Sequence, residues 1–348
     1  MNKTMLAMAA LAAVPFSTYA QSGVTLYGRF NVGAQHLIYA DTPTRASSSV
    51  TAITSDASLW GMRGTEDLGG GNRVYFKAES GIQLDTGAQS SATQMFNRET
   101  FIGLSSPTLG SLQLGSQWAP GLWQSLRADP FQRFGPGGQA YLLQVQRGYT
   151  LKYDSAVQYI TPKFAGLSGR LYYVPSEGQA TGEASAASLD YDNGRLYVGA
   201  YLDNNQVPAA SVALTGSTVL SRTTSVAATY DFTSVKLYAQ AQTNSVNGLP
   251  DVKGYLLGVS VPVGVGQIKA SYLHKSAPKA DASVIGVGYA YPLSKRTSLF
   301  GNVAHLTNEG AAAYRFGPAL AEQAALGPAG PVAGQNAMSV HVGLMHSF

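Results

Sequence analysis

The sequence predicts an all-β fold: a 16-stranded antiparallel transmembrane β-barrel with its third long loop folded inward. Three observations predict it. Strands alternate apolar and polar residues, connections alternate short and long, and one long irregular stretch belongs to neither pattern.

Composition supports a barrel in lipid. Of the 348 residues 45% are hydrophobic but only 12% are charged, about half the 25% usual in soluble domains. Beyond the N-terminal segment no run of 18 apolar residues occurs, which excludes a membrane-spanning helix. A barrel turns only every second residue to lipid, so a mean hydropathy of -0.01 is compatible with it.

Met1–Ala20 reads as a cleaved export signal. Lys3 gives a positive start, Met5–Val14 a short apolar core, and Thr18 and Ala20 small residues before the cut. Cleavage removes one cation and no acid, leaving +3 against +4 for the full sequence. The barrel then occupies residues 21–348. The chain has no cysteine, so an exported fold must be held by something other than disulfides.

The strands follow period 2. In Val24–Val32 the residues Val24, Leu26, Gly28, Phe30 and Val32 share one face, and Thr25, Tyr27, Arg29 and Asn31 the other. Val235, Leu237, Ala239 and Ala241 alternate with Lys236, Tyr238, Gln240 and Gln242, which are expected to line an aqueous interior. Short turns are predicted at Thr65–Asn72, Ser105–Gly110, Thr161–Leu167, Asp192–Gly194, Asp231–Ser234, Pro262–Gly266 and Pro292–Lys295. Longer connections lie near 39–53, 86–95, 119–146, 177–184, 204–220, 243–252, 276–281 and 307–336. Sorting tight turns to one end and long loops to the other is the mark of an up-and-down membrane barrel. A sheet edge cannot face lipid, so the ends must pair and close.

The exception is Ala119–Gln146. It holds Pro120, Pro130 and Pro136 with Gly121, Gly135, Gly137 and Gly138, and neither period survives in it. Irregular segments of this length in compact folds are usually functional, and this one is expected to fold into the barrel. At the other end of the chain, Met338–Phe348 is an amphipathic strand ending in an aromatic, with Val340, Val342, Leu344, His346 and Phe348 on one face.

These segments together resemble the Gram-negative general porins. VTLYGRFN at Val24–Asn31, SLWGMRGTEDLGGG at Ser58–Gly71, FNRETFIGLSSPTLGSLQLGSQ at Phe96–Gln117, LKYDSA at Leu151–Ala156, YDNG at Tyr191–Gly194, YPLSKRT at Tyr291–Thr297 and the terminal Phe348 carry the likeness in order. The resemblance implies a trimeric outer-membrane channel for small hydrophilic solutes, with no cofactor and no nucleic-acid partner. It further implies lipopolysaccharide as surroundings, assembly machinery that reads Phe348, and basic wall residues facing acids on the third loop.

Carried over residue by residue, the likeness places Arg98 on the wall. If Phe101 and Gly103 face lipid, alternation also turns Arg98 inward. The same reasoning turns Lys152 inward, and Arg147 at the end of the loop is a further wall candidate. Where the family commonly has arginine, this chain has Leu59, and Arg63 falls below the constriction. The loop supplies Arg127, Asp129 and Arg133. Together these predict weak anion selectivity.

Two other classes of protein would carry different marks. An enzyme would need a motif such as G-x-S-x-G or a phosphate loop, and none is present. A channel dedicated to one solute would need a ladder along the interior, for which Tyr27, Tyr197, Tyr201 and Tyr238 are the candidates; rim and trimer packing is the favoured reading of them.

Overall fold

The computed structural model describes residues 23–176, 182–316 and 331–348. The expected export signal lies outside them.

Among the described residues seventeen strand segments form one sheet, and every pairing in it is antiparallel. Two of them, Ser48–Ser55 and Leu59–Gly69, pair one after the other with the first strand, Gly23–Tyr39. They are one strand broken by a bulge, so the barrel has 16 strands. The register slips by one residue between Val32↔Ser55 and Arg29↔Leu59, the extra-residue signature of a bulge. The Ser58 hydroxyl fills the gap in the ladder, accepting from the Asn31 N–H at 2.9 Å and donating to its carbonyl at 3.0 Å.

Closure comes from the chain ends. The last strand, Ala337–Ser347, pairs with the first from Arg29↔Ser347 to Tyr39↔Ala337. Phe348 and Gly28 then exchange two backbone hydrogen bonds of 3.1 Å. The Phe348 ring lies against Gly28, where any Cβ would strike it, and packs edge-on to Phe30 at 5.1 Å. The seven tight connections lie at the turns predicted from sequence.

Alternation sorts the two faces. Leu26, Ile102, Leu114, Val226, Leu257, Ile285 and Val342 are among the exposed apolar residues that suit a lipid-facing band. Asn31, Gln113, Gln158, Thr223, Gln240 and Ser271 turn inward and are buried. Deleting Phe348 removes the closing pair and the ring over Gly28. The expected result is a several-fold loss of heat-resistant barrel on gels; normal yield would show that closure does not depend on this residue.

The loop between Trp118 and Lys152 folds inside, but it is not without structure. Pro120–Ala128 is an α-helix and Gln139–Tyr141 a 3-10 turn. Proline at the start of the helix costs no hydrogen bond, and Gly121 lets the helix approach the hydroxyls of Tyr149 and Tyr201. A helix of nine residues is too short to show its period among so many glycines and prolines.

Candidate functional site: the charged constriction

Inward-facing side chains stitch the loop to one wall. Gln124 donates to the Gly199 carbonyl at 3.0 Å, Ser271 to Gly137 at 2.6 Å and Gln242 to Leu143 at 2.7 Å. Gln139 donates to Gln240 at 3.1 Å. Gln240 and Gln242 therefore lie beneath the loop instead of lining open water, a correction to the expectation from alternation alone.

On the other side the bulge aims Asp56 at the loop. Its carboxylate accepts the Gly135 N–H at 2.7 Å and the Tyr141 hydroxyl at 3.5 Å. The Arg29 guanidinium stacks over Phe134 of the loop at 4.4 Å and donates to the Ala57 carbonyl at 3.1 Å.

The free wall is a charge cluster. Lys77 bridges Glu79 at 2.9 Å and Glu99 at 2.6 Å. Tyr27 donates to Glu79 at 2.8 Å, and Arg98 lies 3.8 Å from the same carboxylate and over the Trp118 ring at 4.9 Å. Arg63 stacks over Tyr27. The charge of Arg98 is felt at both Arg29 and Arg133, so three guanidiniums, two from the wall and one from the loop, repel one another across the narrow region.

Arg98 reaches the lumen by a route that alternation does not predict. Ile102 and Leu104 are the exposed residues of that strand, so Glu99, Phe101 and Gly103 share the inner face. The Glu79 carbonyl accepts the Arg98 N–H while the Glu79 N–H donates to Glu99. This bulge sets both Arg98 and Glu99 against Glu79 and carries Arg98 inward beside its neighbour.

Lys152 is not brought to the cluster. Tyr153 is the inward residue, packed on Tyr172 at 5.7 Å. Lys152 lies on the opposite face, bridged to Asp154 at 2.7 Å and in reach of Ser116 at 3.3 Å. A bulge between Gly115 and Gln117 resets the alternation there. Arg147 is also elsewhere, donating to the Val212 carbonyl at 3.1 Å. Arg127 pairs with Asp192 at 2.7 Å near a tight turn. Arg133 is held by Gln144 at 2.7 Å, and burial lowers its pKa.

Asp129 is turned into the loop itself. It is 1% exposed and accepts three loop N–H groups, from Gln139 at 2.7 Å, Phe131 at 2.8 Å and Arg133 at 3.2 Å. Burial outweighs these bonds and the Lys269 charge and pushes its pKa up to about 6. The folded value exceeds the unfolded one, so this contribution is complete below pH ~4 and lost as pH rises through ~6. Two units correspond to about 3 kcal/mol. Open-channel noise from loop motion is expected to increase from pH 5 to pH 8 with a midpoint near 6. Asp129→Asn should flatten that profile; an unchanged profile would assign the noise to another group.

Leu59 faces Arg29 directly across the first two strands. A guanidinium therefore stands beside Leu59 on the neighbouring strand. Sequence reasoning had placed Arg29 on a polar face without singling it out, and it missed Asp56, Lys77, Glu79 and Glu99. The polar set of Tyr27, Arg29 and Asn31 was the available signal. The four tyrosines form no ladder: Tyr27 binds Glu79, Tyr197 binds Asp190 and Tyr238 meets Ser260, and Tyr201 lies against the loop helix at Gly121.

A closed membrane barrel whose interior is narrowed by a loop against a charged wall is a channel protein. The chain belongs to the Gram-negative porin family, whose model matches residues 7–311. It is 31% identical over 369 residues to Outer membrane porin protein 32 of Delftia acidovorans, covering 100% of both chains. To an outer membrane porin protein of Bordetella pertussis it is 30% identical over 366 residues, covering 86% of this chain and 93% of the relative. Its structure resembles that of an anion-selective porin from Comamonas acidovorans, with a TM-score of 0.80 and 27% identity over 94% of this chain and 100% of that one. The trimer form of OmpT from Vibrio cholerae shares the fold, with a TM-score of 0.67 at 14% identity over 94% of this chain and 99% of that one. The protein is an outer-membrane porin, a water-filled channel for small hydrophilic solutes and ions.

Proposed function

We propose that this porin passes anions faster than cations, weakly, and works as a homotrimer without cofactor, energy source or catalytic activity. The observation that carries the selectivity is the mutual repulsion felt among Arg29, Arg98 and Arg133. Of the three wall carboxylates, Glu79 and Glu99 are engaged by Lys77 and Asp56 accepts the Gly135 N–H. The similar structure described as an anion-selective porin supports the same sign. Two unit charges 4 Å apart interact by about 4 kcal/mol at an effective dielectric of 20 but about 1 in bulk water. A wet pore lies toward the lower figure, so the bias is modest and fades with salt.

The trimer rests on family resemblance, and so does recognition of Phe348 by barrel assembly machinery among lipopolysaccharide. Reconstitution in a planar bilayer tests the channel reading. Discrete conductance steps that rise with salt without saturation, and a reversal potential on the anion side, are expected. A cation-side potential would overturn the selectivity, and block by a single sugar at low concentration would favour a dedicated channel.

A further inference from the structure

A second set of cations lies beyond the constriction, at the tight-turn end of the barrel. Arg195 stands just before the strand Leu196–Pro208, Lys236 opens Lys236–Val246, and Lys269 is near the start of Gly266–Ser276. These are alternate strands, each rising from a tight turn. Their exposed neighbours, Leu237 and Ile268, point outward, so Lys236 and Lys269 turn into the lumen. All three line a cavity of about 300 Å³ together with the loop residues Leu126, Arg127, Asp129, Pro130 and Gln132.

The acids that line the same cavity are already committed. Asp192 is bonded to Arg127, and Asp129, whose charge Lys269 feels without bonding to it, accepts three loop N–H groups. Among the described residues no carboxylate forms a salt bridge with Arg195, Lys236 or Lys269. Lys236 has instead the face of Tyr238, at 5.3 Å. Three cations converging on a cavity the size of a small ligand site form a receptor for an anion with several oxygens and more than one negative charge.

We propose that this vestibule binds small phosphate monoesters on their way through the pore. A monoester carries about 1.5 to 2 negative charges at neutral pH and three acceptor oxygens, one for each cation. Its organic part would lie against Tyr197 and Thr229, which line the same space. Chloride has neither the charge nor the geometry to engage all three groups. The inference rests on the anion-selective reading and adds a substrate class and a second station to it.

The test is single-channel recording in potassium chloride with glycerol 3-phosphate as the probe and glycerol as the neutral control. Wild type should show a saturable fall in chloride current with glycerol 3-phosphate and none with glycerol. Lys236→Gln with Lys269→Gln should raise the half-saturating concentration at least tenfold, since one charged hydrogen bond is worth about that factor. Arg195→Gln, at an exposed turn, provides an independent variant should the double one assemble poorly, and is expected to raise it severalfold. A linear response in wild type, or saturation unchanged in the variants, overturns the site even if the reversal potential in potassium chloride is on the anion side. A cation-side reversal potential in wild type overturns the selectivity reading and the site together.

Discussion

Deleting residues 125–140 raises single-channel conductance about twofold or more and lets larger sugars through, if the loop sets the width of the pore. The barrel should survive, because none of its strand pairing uses the loop. The wall groups that lose partners, the side chains of Gln240 and Ser271 and the Asp56 carboxylate, are polar and would take up water. The cut also spares Leu142 and Leu143, which pack with Leu256 and Leu273 at the far end of the loop. Bilayer steps and liposome swelling with sugars of graded size measure both effects. Unchanged conductance in a correctly assembled deletion would mean that the narrowest point lies elsewhere.

Charge reversal at the arginine cluster has the next largest effect. Arg29→Glu with Arg133→Glu replaces two of the three guanidiniums by carboxylates beside Glu79 and Glu99. The reversal potential should cross to the cation side in dilute salt. The shift should shrink toward 1 M salt, where the Debye length falls from about 10 Å to about 3 Å. Lys152→Glu provides the contrast. Its ammonium is bonded to Asp154 and makes no ion pair with Glu79 or Glu99, so that variant should leave the potential nearly unmoved. A large shift from Lys152→Glu, or none from the arginine pair, would overturn this placement. Leu59→Arg would set a second guanidinium against Arg29 and is expected to strengthen anion preference while lowering conductance.

The fold was legible because its determinants are local. Period-2 alternation and the spacing of tight turns are written within ten or so residues, and Val24–Val32 or Lys236–Gln242 needs no distant partner to be read. The site was less so. Arg98 and Lys152 each stand at a bulge, where one extra residue inverts the inside and outside of everything beyond it. Alternation alone turns Arg98 inward only if Phe101 and Gly103 face lipid, whereas the bulge opposite Glu79 sets it beside Glu99, and beyond the bulge near Gln117 it is Tyr153 that follows the inner face. Arg29 stands beside Leu59 only through cross-strand register, which no single segment records. Asp129 looked like a pore acid because its charge was visible, whereas its three N–H partners depend on how the loop folds back on itself.

The contact between Gly28 and Phe348 has a consequence for the order of events in making the molecule. The first strand is synthesised first, yet half of its hydrogen bonds must wait for the last residue of the chain. Until then the growing sheet has two raw edges, each able to pair with another chain. Contacts between the chain's extremes are also the slowest to form unaided. The hazardous interval thus spans the whole passage from export to insertion, and it ends in one step. Because the ends finish side by side, joining them and opening the chain at a long loop should preserve every strand pair while moving that interval to a different seam.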